Sequence, residues 1–244
     1  MVNGLQTSNE IFRHFFAGGD KDDSRNVLVR IIVTKDQEIA DRIIRATNSQ
    51  ISIPPSQLKA TEKIHRDIED FLKKYDLYYD RRKNFYKLQG KPIAKIIGIV
   101  ELAQAILAAG LGRPADARAR PSTVVNNDVE YKKVFNDAYP IAVYPNATLL
   151  LRRCETYLAD HPDSLSRQER NNLRFYLMRR TLIRTCKKLK AGINDLRTLA
   201  INDVTVDILD QAFKEVREQY AKLGASDQAA KGSDLEKSVN EKPL

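Results

Sequence analysis

The chain has 244 residues, 42% hydrophobic and 30% charged, which is enough apolar material for one large or two small globular domains and excludes general disorder. Lysine and arginine outnumber aspartate and glutamate 41 to 32, a net charge of +9, which suits a polyanionic partner without demanding one. Cys154 and Cys186 have no second cysteine or histidine at ligand spacing; they exclude a disulfide framework and read as packing thiols of a reducing cytoplasm.

In chain order, Met1-Val2-Asn3-Gly4-Leu5-Gln6-Thr7 reads as strand and tight turn, since glycine accepts positive φ and asparagine tolerates it. Only two residues precede that turn, so the chain is expected to be the C-terminal portion of a longer protein. No basic segment followed by an apolar run opens it, so no secretory signal is predicted. A short helix over 9–16 and a loop over 17–25 follow. Val27, Val29, Ile31, Ile32 and Val33, with Arg30 the one charge among them, predict a largely buried strand. Asp36 is placed to cap a helix through 47 with Ile39, Ile43 and Ile44 on one face. Pro54-Pro55 breaks the chain, and Ser56 opens a second helix whose Ile64, Ile68, Phe71 and Leu72 share a stripe.

The stretch Tyr78 to Tyr86 predicts a strand or hairpin. Helices are then expected over 93–110, 129–137, 146–160, 166–188 and 203–223, the last with Leu209, Phe213, Val216, Tyr220 and Leu223 in one stripe. Residues 93–112 come nearest to a membrane span, but Lys95, Glu101 and Gln104 interrupt them and a buried helix is the better reading. Arg113 to Val125, with two prolines and no periodicity, predicts an exposed loop. The fold class is therefore α+β, predominantly helical: an α/β unit over 1–90, a helical domain over 91–224, and a disordered tail over 225–244, where apolar residues thin out.

Three segments carry candidate chemistry. Thr47, Asn48, Ser49 and Gln50 present small donors and acceptors that suit a phosphate or a base edge, and equally read as a helix C-cap before Pro54. Tyr79 with Arg81, Arg82 and Lys83 suits base stacking and phosphate pairing, and equally reads as a half-buried strand. Arg170, Arg174 and Arg184 share one helix face at about 100° per residue, a nucleic-acid contact surface or a solvated face. No metal site is predicted, since the three histidines lack ligand spacing. A nuclease needs an acid plus an Asp/Glu-x-Lys pair on neighbouring strands; Asp128-Val129-Glu130-Tyr131-Lys132 comes nearest and sits where a helix begins.

Asn3-Gly4-x-Gln6-Thr7, the apolar run to Val33, Ile43-x-Arg45-Ala46-Thr47-Asn48-Ser49-Gln50, Leu58-x-Ala60 and Tyr78-Tyr79-Asp80-Arg81-Arg82-Lys83 together resemble the AIPR family, the abortive-infection phage-resistance proteins of bacteria. The resemblance covers residues 1–90 in order and implies a cytoplasmic phage-defence role beside restriction-modification or other defence proteins. In some members a nuclease-like domain precedes the Asn-Gly-x-Gln-Thr motif, so the resemblance leaves catalysis by this chain uncertain. More distantly, the order of elements is similar to the ParB and sulfiredoxin-like superfamily. That likeness implies one polar site from Asn3, Gly4, Gln6, Thr7 and Thr47 to Gln50 for a nucleotide with magnesium, although Gln6-Thr7 stands where those proteins carry a basic pair. The expected function is nucleic-acid binding or sensing in phage defence. The alternatives are a nucleotide-binding switch or hydrolase and a non-catalytic, homo-oligomeric scaffold away from membranes.

Overall fold

The computed structural model describes residues 5–19, 24, 26–34, 36, 39, 42–43, 59–161 and 163–243. The chain divides at a proline pair into two units, Met1–Pro54 and Pro55–Leu244.

In the first unit, helix α1 spans Leu5–Phe16. It therefore begins earlier than expected and takes Gln6 and Thr7 into its first turn rather than into a strand-linked turn. Phe12 and Phe16, one helical turn apart, stack with ring centroids 5.4 Å apart and are both exposed. Residues 26–34 carry no regular secondary structure, and Val27, Leu28, Val29, Ile31, Ile32 and Val33 are all exposed. The expectation of a buried strand is corrected here: β-branched residues supply propensity, but a strand persists only beside a paired neighbour, and among the described residues none pairs with this one. Asp36 does cap as expected, its Oδ1 accepting from the Ile39 N–H at 3.3 Å.

The second unit is predominantly helical with a two-stranded sheet. Helix α2, Lys63–Lys73, buries Ile64, Ile68 and Leu72 on the predicted stripe. Strand β1, Tyr78–Asp80, is followed by a short helix α3, Phe85–Leu88, and by strand β2, Ile96–Gly98. The strands pair in parallel, Tyr78 with Ile96 and Asp80 with Gly98. Tyr78 to Tyr86 is thus no hairpin: a parallel partner requires a crossover, which α3 and the following turn provide. Because this pairing crosses residue 90, residues 59–90 belong with the helices rather than with the first unit.

Helix α4, Ile99–Ala105, runs into one π-helical turn, Ile106–Gly110, every residue of which is buried. Gly110 ends it where an added Cβ would lie 2.5 Å from Ile193 Cδ1, so a larger residue would require the Ile193 side chain to shift. Helices α5, Pro114–Ala119, and α6, Thr123–Asn126, replace the exposed loop expected over 113–125. Proline at the first helical position starts α5, and Ala115, Ala117, Val124 and Val125 are buried, a pattern too short to show periodicity.

Helix α7, Asp128–Val134, is capped by Asn127, whose side-chain oxygen accepts from the N–H groups of Val129 and Glu130. The longer helices α8, Val143–Ala159, and α9, Arg167–Cys186, then pack against each other. A capping box between Ser166 and Glu169 starts α9. Eleven successive or near-successive residues from Asn172 to Ile183 are buried in it, so α9 is the central helix, covered on most sides despite its arginines and in contact with α5, α8 and the π turn. Helix α10, Ile193–Thr198, and helix α11, Val206–Lys222, complete the body, the latter burying Leu209, Phe213, Val216 and Tyr220.

The segment expected to be a disordered tail instead carries helix α12, Ser233–Glu241, with Leu235 and Val239 buried. Two apolar residues four apart are enough when a preformed surface waits for them. Tyr176 Oη also donates to the Ala230 carbonyl at 2.9 Å, and Glu236 Oε2 accepts from the Ala115 N–H at 3.0 Å.

A buried polar chain ties α2, β1 and α7 together. His65 is wholly buried, with Nδ1 2.8 Å from Tyr79 Oη and Nε2 2.9 Å from Tyr131 Oη. The Tyr131 hydroxyl donates to Glu62 Oε2 at 2.5 Å. Its proton being spent there, Nε2 carries the ring hydrogen and donates to Tyr131, and Nδ1 accepts from Tyr79.

Candidate functional site

The sequence-predicted site residues fall into three groups. Asn3, Gly4, Thr47, Asn48, Ser49 and Gln50 lie outside the described residues; Gln6 is placed within α1, and Thr7 is exposed on it. In the second group, Tyr79 is wholly buried and committed to His65, so it offers no ring face to a base, and that expectation is corrected. Arg81 is likewise committed: its Nε lies 2.6 Å from Glu69 Oε2 and one terminal nitrogen donates to the Ala60 carbonyl at 2.8 Å. Arg82 and Lys83 remain exposed, the Arg82 guanidinium 4.1 Å above the Phe85 ring.

The third group divides. Arg184 turns toward α11, bound to Glu215 at 2.5 Å and to Gln211 at 2.7 Å. Arg170 and Arg174 instead meet at two adjoining clefts. One, of about 260 Å³, is lined by Gln104, Arg118, Pro121, Asn171, Arg174 and Phe175. The other, of about 190 Å³, is lined by Glu155, Leu158, Ala159, Arg170, Asn171 and Arg174. Asn171 and Arg174 belong to both, so the pair forms one groove along the N-terminal half of α9.

The electrostatics of that groove are uneven. Glu101, Glu155, Arg152 and Arg174 form a network of two anions and two cations, in which Arg174 donates to Glu155 at 2.9 Å and Arg152 holds Glu101 through two bonds of 3.0 and 2.9 Å. Nε of Arg152 and Nε of Arg174 are buried without a hydrogen-bond partner among the described residues. A buried donor left unanswered costs about 1–3 kcal/mol of desolvation. Arg118 spends its donors on Asn172, at 3.0 and 2.9 Å, and on Asp227 at 2.5 Å. Among the described residues no ion pair holds Arg170. The groove therefore presents Arg170, which no ion pair holds among the described residues, the partly exposed Arg174 and the exposed amide of Asn171, a set suited to anionic oxygen.

Sequence reasoning reached Arg170 and Arg174 through helical periodicity. It missed Gln104, which it met only as an interruption in an apolar run, and Arg118, which it left in a loop. The Asp128 to Lys132 segment has no strand context: Asp128 pairs with Lys59 at 2.7 Å, and Glu130 with Arg113 and Lys133 at 2.5 and 2.7 Å. Among the described residues no cluster of three histidine, cysteine or carboxylate side chains is disposed to hold a metal. Cys154 is buried, and burial pushes its thiol up to about 12. Among the described residues no helix is long and apolar enough to cross a membrane.

Fold and groove together describe a predominantly helical α+β protein with a cationic furrow along its central helix. A family model for AIPR proteins matches residues 1–227, and the chain belongs to that family, whose role is abortive infection in phage defence. No curated protein and no solved structure matches the chain significantly. The more distant ParB and sulfiredoxin-like likeness finds no support in these matches.

Proposed function

We propose that the chain serves phage defence in the cytoplasm as a nucleic-acid-binding or sensing module, acting beside a nuclease or restriction-modification partner, and that the groove along α9 is its contact surface. The observation that supports this most directly is the pairing, in one groove, of Arg174 with Arg170, which no ion pair holds among the described residues. Phosphate oxygens are the acceptors such donors take, and the net charge of +9 favours a polyanion at long range.

The test is fluorescence anisotropy of labelled DNA and RNA, single- and double-stranded, across a salt series. The Arg170→Ala, Arg174→Ala double variant is expected to bind at least about tenfold more weakly, with the salt slope reduced by about 2 because two phosphate contacts are lost. An unchanged affinity and slope in a cooperatively melting double variant would remove the reading. A second reading, an assembly scaffold, is favoured by the six exposed apolar side chains between Val27 and Val33. It is checked by sedimentation velocity, where a concentration-dependent oligomer abolished by Val29→Lys, Ile31→Lys supports it and an unchanging monomer does not.

A further inference from the structure

Beyond the groove, we infer that Arg179, Arg180 and Arg184 form a second, concealed site for phosphate groups, and that residues 240–243 occupy it as an internal cover. Arg180 is wholly buried and Arg179 is 5% exposed, yet among the described residues the three arginines share a single directly bonded carboxylate, that of Glu215. Arg180 Nε pairs with Glu215, which also accepts from Arg184 at 3.2 and 2.5 Å. Among the described residues every other bonded acceptor is neutral. Arg180 donates to the carbonyls of Lys242 at 2.7 Å and Pro243 at 2.6 Å. Arg179 donates to Asn240 Oδ1 at 2.6 Å and to the carbonyls of Ala109, Ala191 and Leu189 at 2.9, 2.5 and 3.3 Å.

Buried cations normally call for countercharge; among the described residues Glu215 is the one carboxylate bonded to these arginines, Glu236 and Asp195 act on Arg179 from further off, and neutral oxygens make the remaining bonds. Three of those oxygens come from one short stretch, 240–243. They accept from adjacent guanidinium groups without carrying charge, so a phosphate group in their place would make the stronger bonds.

The origin of the cover separates it from the site. The arginines, Glu215 and the carbonyls of Ala109, Ala191 and Leu189 all lie within the family-matched residues 1–227, whereas Asn240, Lys242 and Pro243 lie outside them. Besides its bonds to the arginines, the cover is held by Leu235 and Val239 buried beneath α12, Glu236 Oε2 on the Ala115 N–H at 3.0 Å, Asn240 Nδ2 on the Gly112 carbonyl at 2.9 Å, and Lys242 on Glu218 at 3.0 Å. Gly112, at φ +69°, lies directly against the guanidinium of Arg179. Displacing α12 would free the donors now bound to Asn240, Lys242 and Pro243 while leaving Arg184 and Glu215 in place.

The experiment uses the full chain with Leu235→Ala and Asn240→Ala, which loosen the cover and keep the arginines. Two probes distinguish the phosphate source: inorganic pyrophosphate followed by calorimetry, and a labelled single-stranded oligonucleotide followed by anisotropy. Because apparent affinity scales with the competent fraction, the loosened chain should bind at least one probe about tenfold tighter than the wild type. The gain should vanish when Arg180→Gln is added and persist with Arg170→Ala and Arg174→Ala, which separates this site from the groove. Wild-type affinity for both probes in a loosened chain that melts cooperatively, or a gain that survives Arg180→Gln, overturns the inference. If the loosened chain does not fold, hydrogen exchange on the wild type decides. Faster exchange over 233–241 with pyrophosphate or the oligonucleotide supports the cover, and unchanged or slower exchange with both overturns it.

Discussion

His65 gives the sharpest handle on the second unit, because its environment turns pH into a measurable stability change. Burial, reinforced by the positive charges of Arg81 and Lys59, lowers its pKa from 6.5 to about 3. As pH falls below 6.5 the unfolded imidazole takes up a proton, while the folded one stays neutral until pH approaches 3. Between those values the unfolded state binds more protons, so stability is lost as pH falls; above 6.5 both states are neutral and the group contributes no slope. The slope is about 1.4 kcal/mol per pH unit, so falling from pH 6.5 to 5 costs about 2 kcal/mol. Urea denaturation followed by far-ultraviolet circular dichroism from pH 7.5 to 5, on the wild type and His65→Gln, isolates the term. Stopping at pH 5 limits interference from carboxylates such as Glu215. Burial alone would raise that carboxyl, but hydrogen bonds from Arg184 and Arg180 outweigh it and hold it below the usual range. Its stabilisation is thus present above the unfolded carboxylate pKa and is lost only at more acid pH. The variant should start less stable, since one amide cannot serve two phenols as the ring does, and should lack the slope. Parallel pH curves for the two proteins would refute the buried, doubly bonded imidazole.

Two further predictions concern packing and charge. Leu235→Ala should cost about 2–5 kcal/mol if α12 unfolds only with the body, because a fully buried leucine leaves a cavity; chemical denaturation reads the cost, and a loss below about 0.5 kcal/mol would mean that α12 does not contribute to the cooperative core. Arg81→Met should cost about 3–5 kcal/mol, since it strands the buried Glu69 carboxylate with only the Tyr86 hydroxyl beside it. The Glu69→Gln, Arg81→Met double variant should recover part of that loss in the same titration, and no recovery would show that the pair is not coupled.

Much of the fold was legible because periodicity is a local property. The stripes of α2 and α11 could be read directly, as could the helical cores of α8 and α9, and the cap at Ser166 lies within a residue of the predicted start of α9. The groove was half legible. Arg170 and Arg174 stood out as a basic helical face, yet the same reasoning added Arg184, which tertiary packing turns toward Glu215. Tyr79 and Arg81 looked like a recognition motif because aromatic and basic residues alternate there. Their commitment to His65 and Glu69 comes from α2, and a linear pattern does not record such a partner.

By itself, then, the sequence determined the family, the predominantly helical class and the positions of the long helices, because each rests on spacings within some twenty residues or on a recognisable order of motifs. Tertiary structure alone decided which charges are surface and which are cross-links. Arg179 and Arg180 lie on the same basic helix as Arg170 and Arg174, yet they are buried because α9 is surrounded there by other elements. It also decided that residues 233–241 form a helix and that residues 26–34 form no strand. A marginal amphipathic segment folds when a complementary surface receives it, and a strong β sequence stays unpaired when no neighbour does.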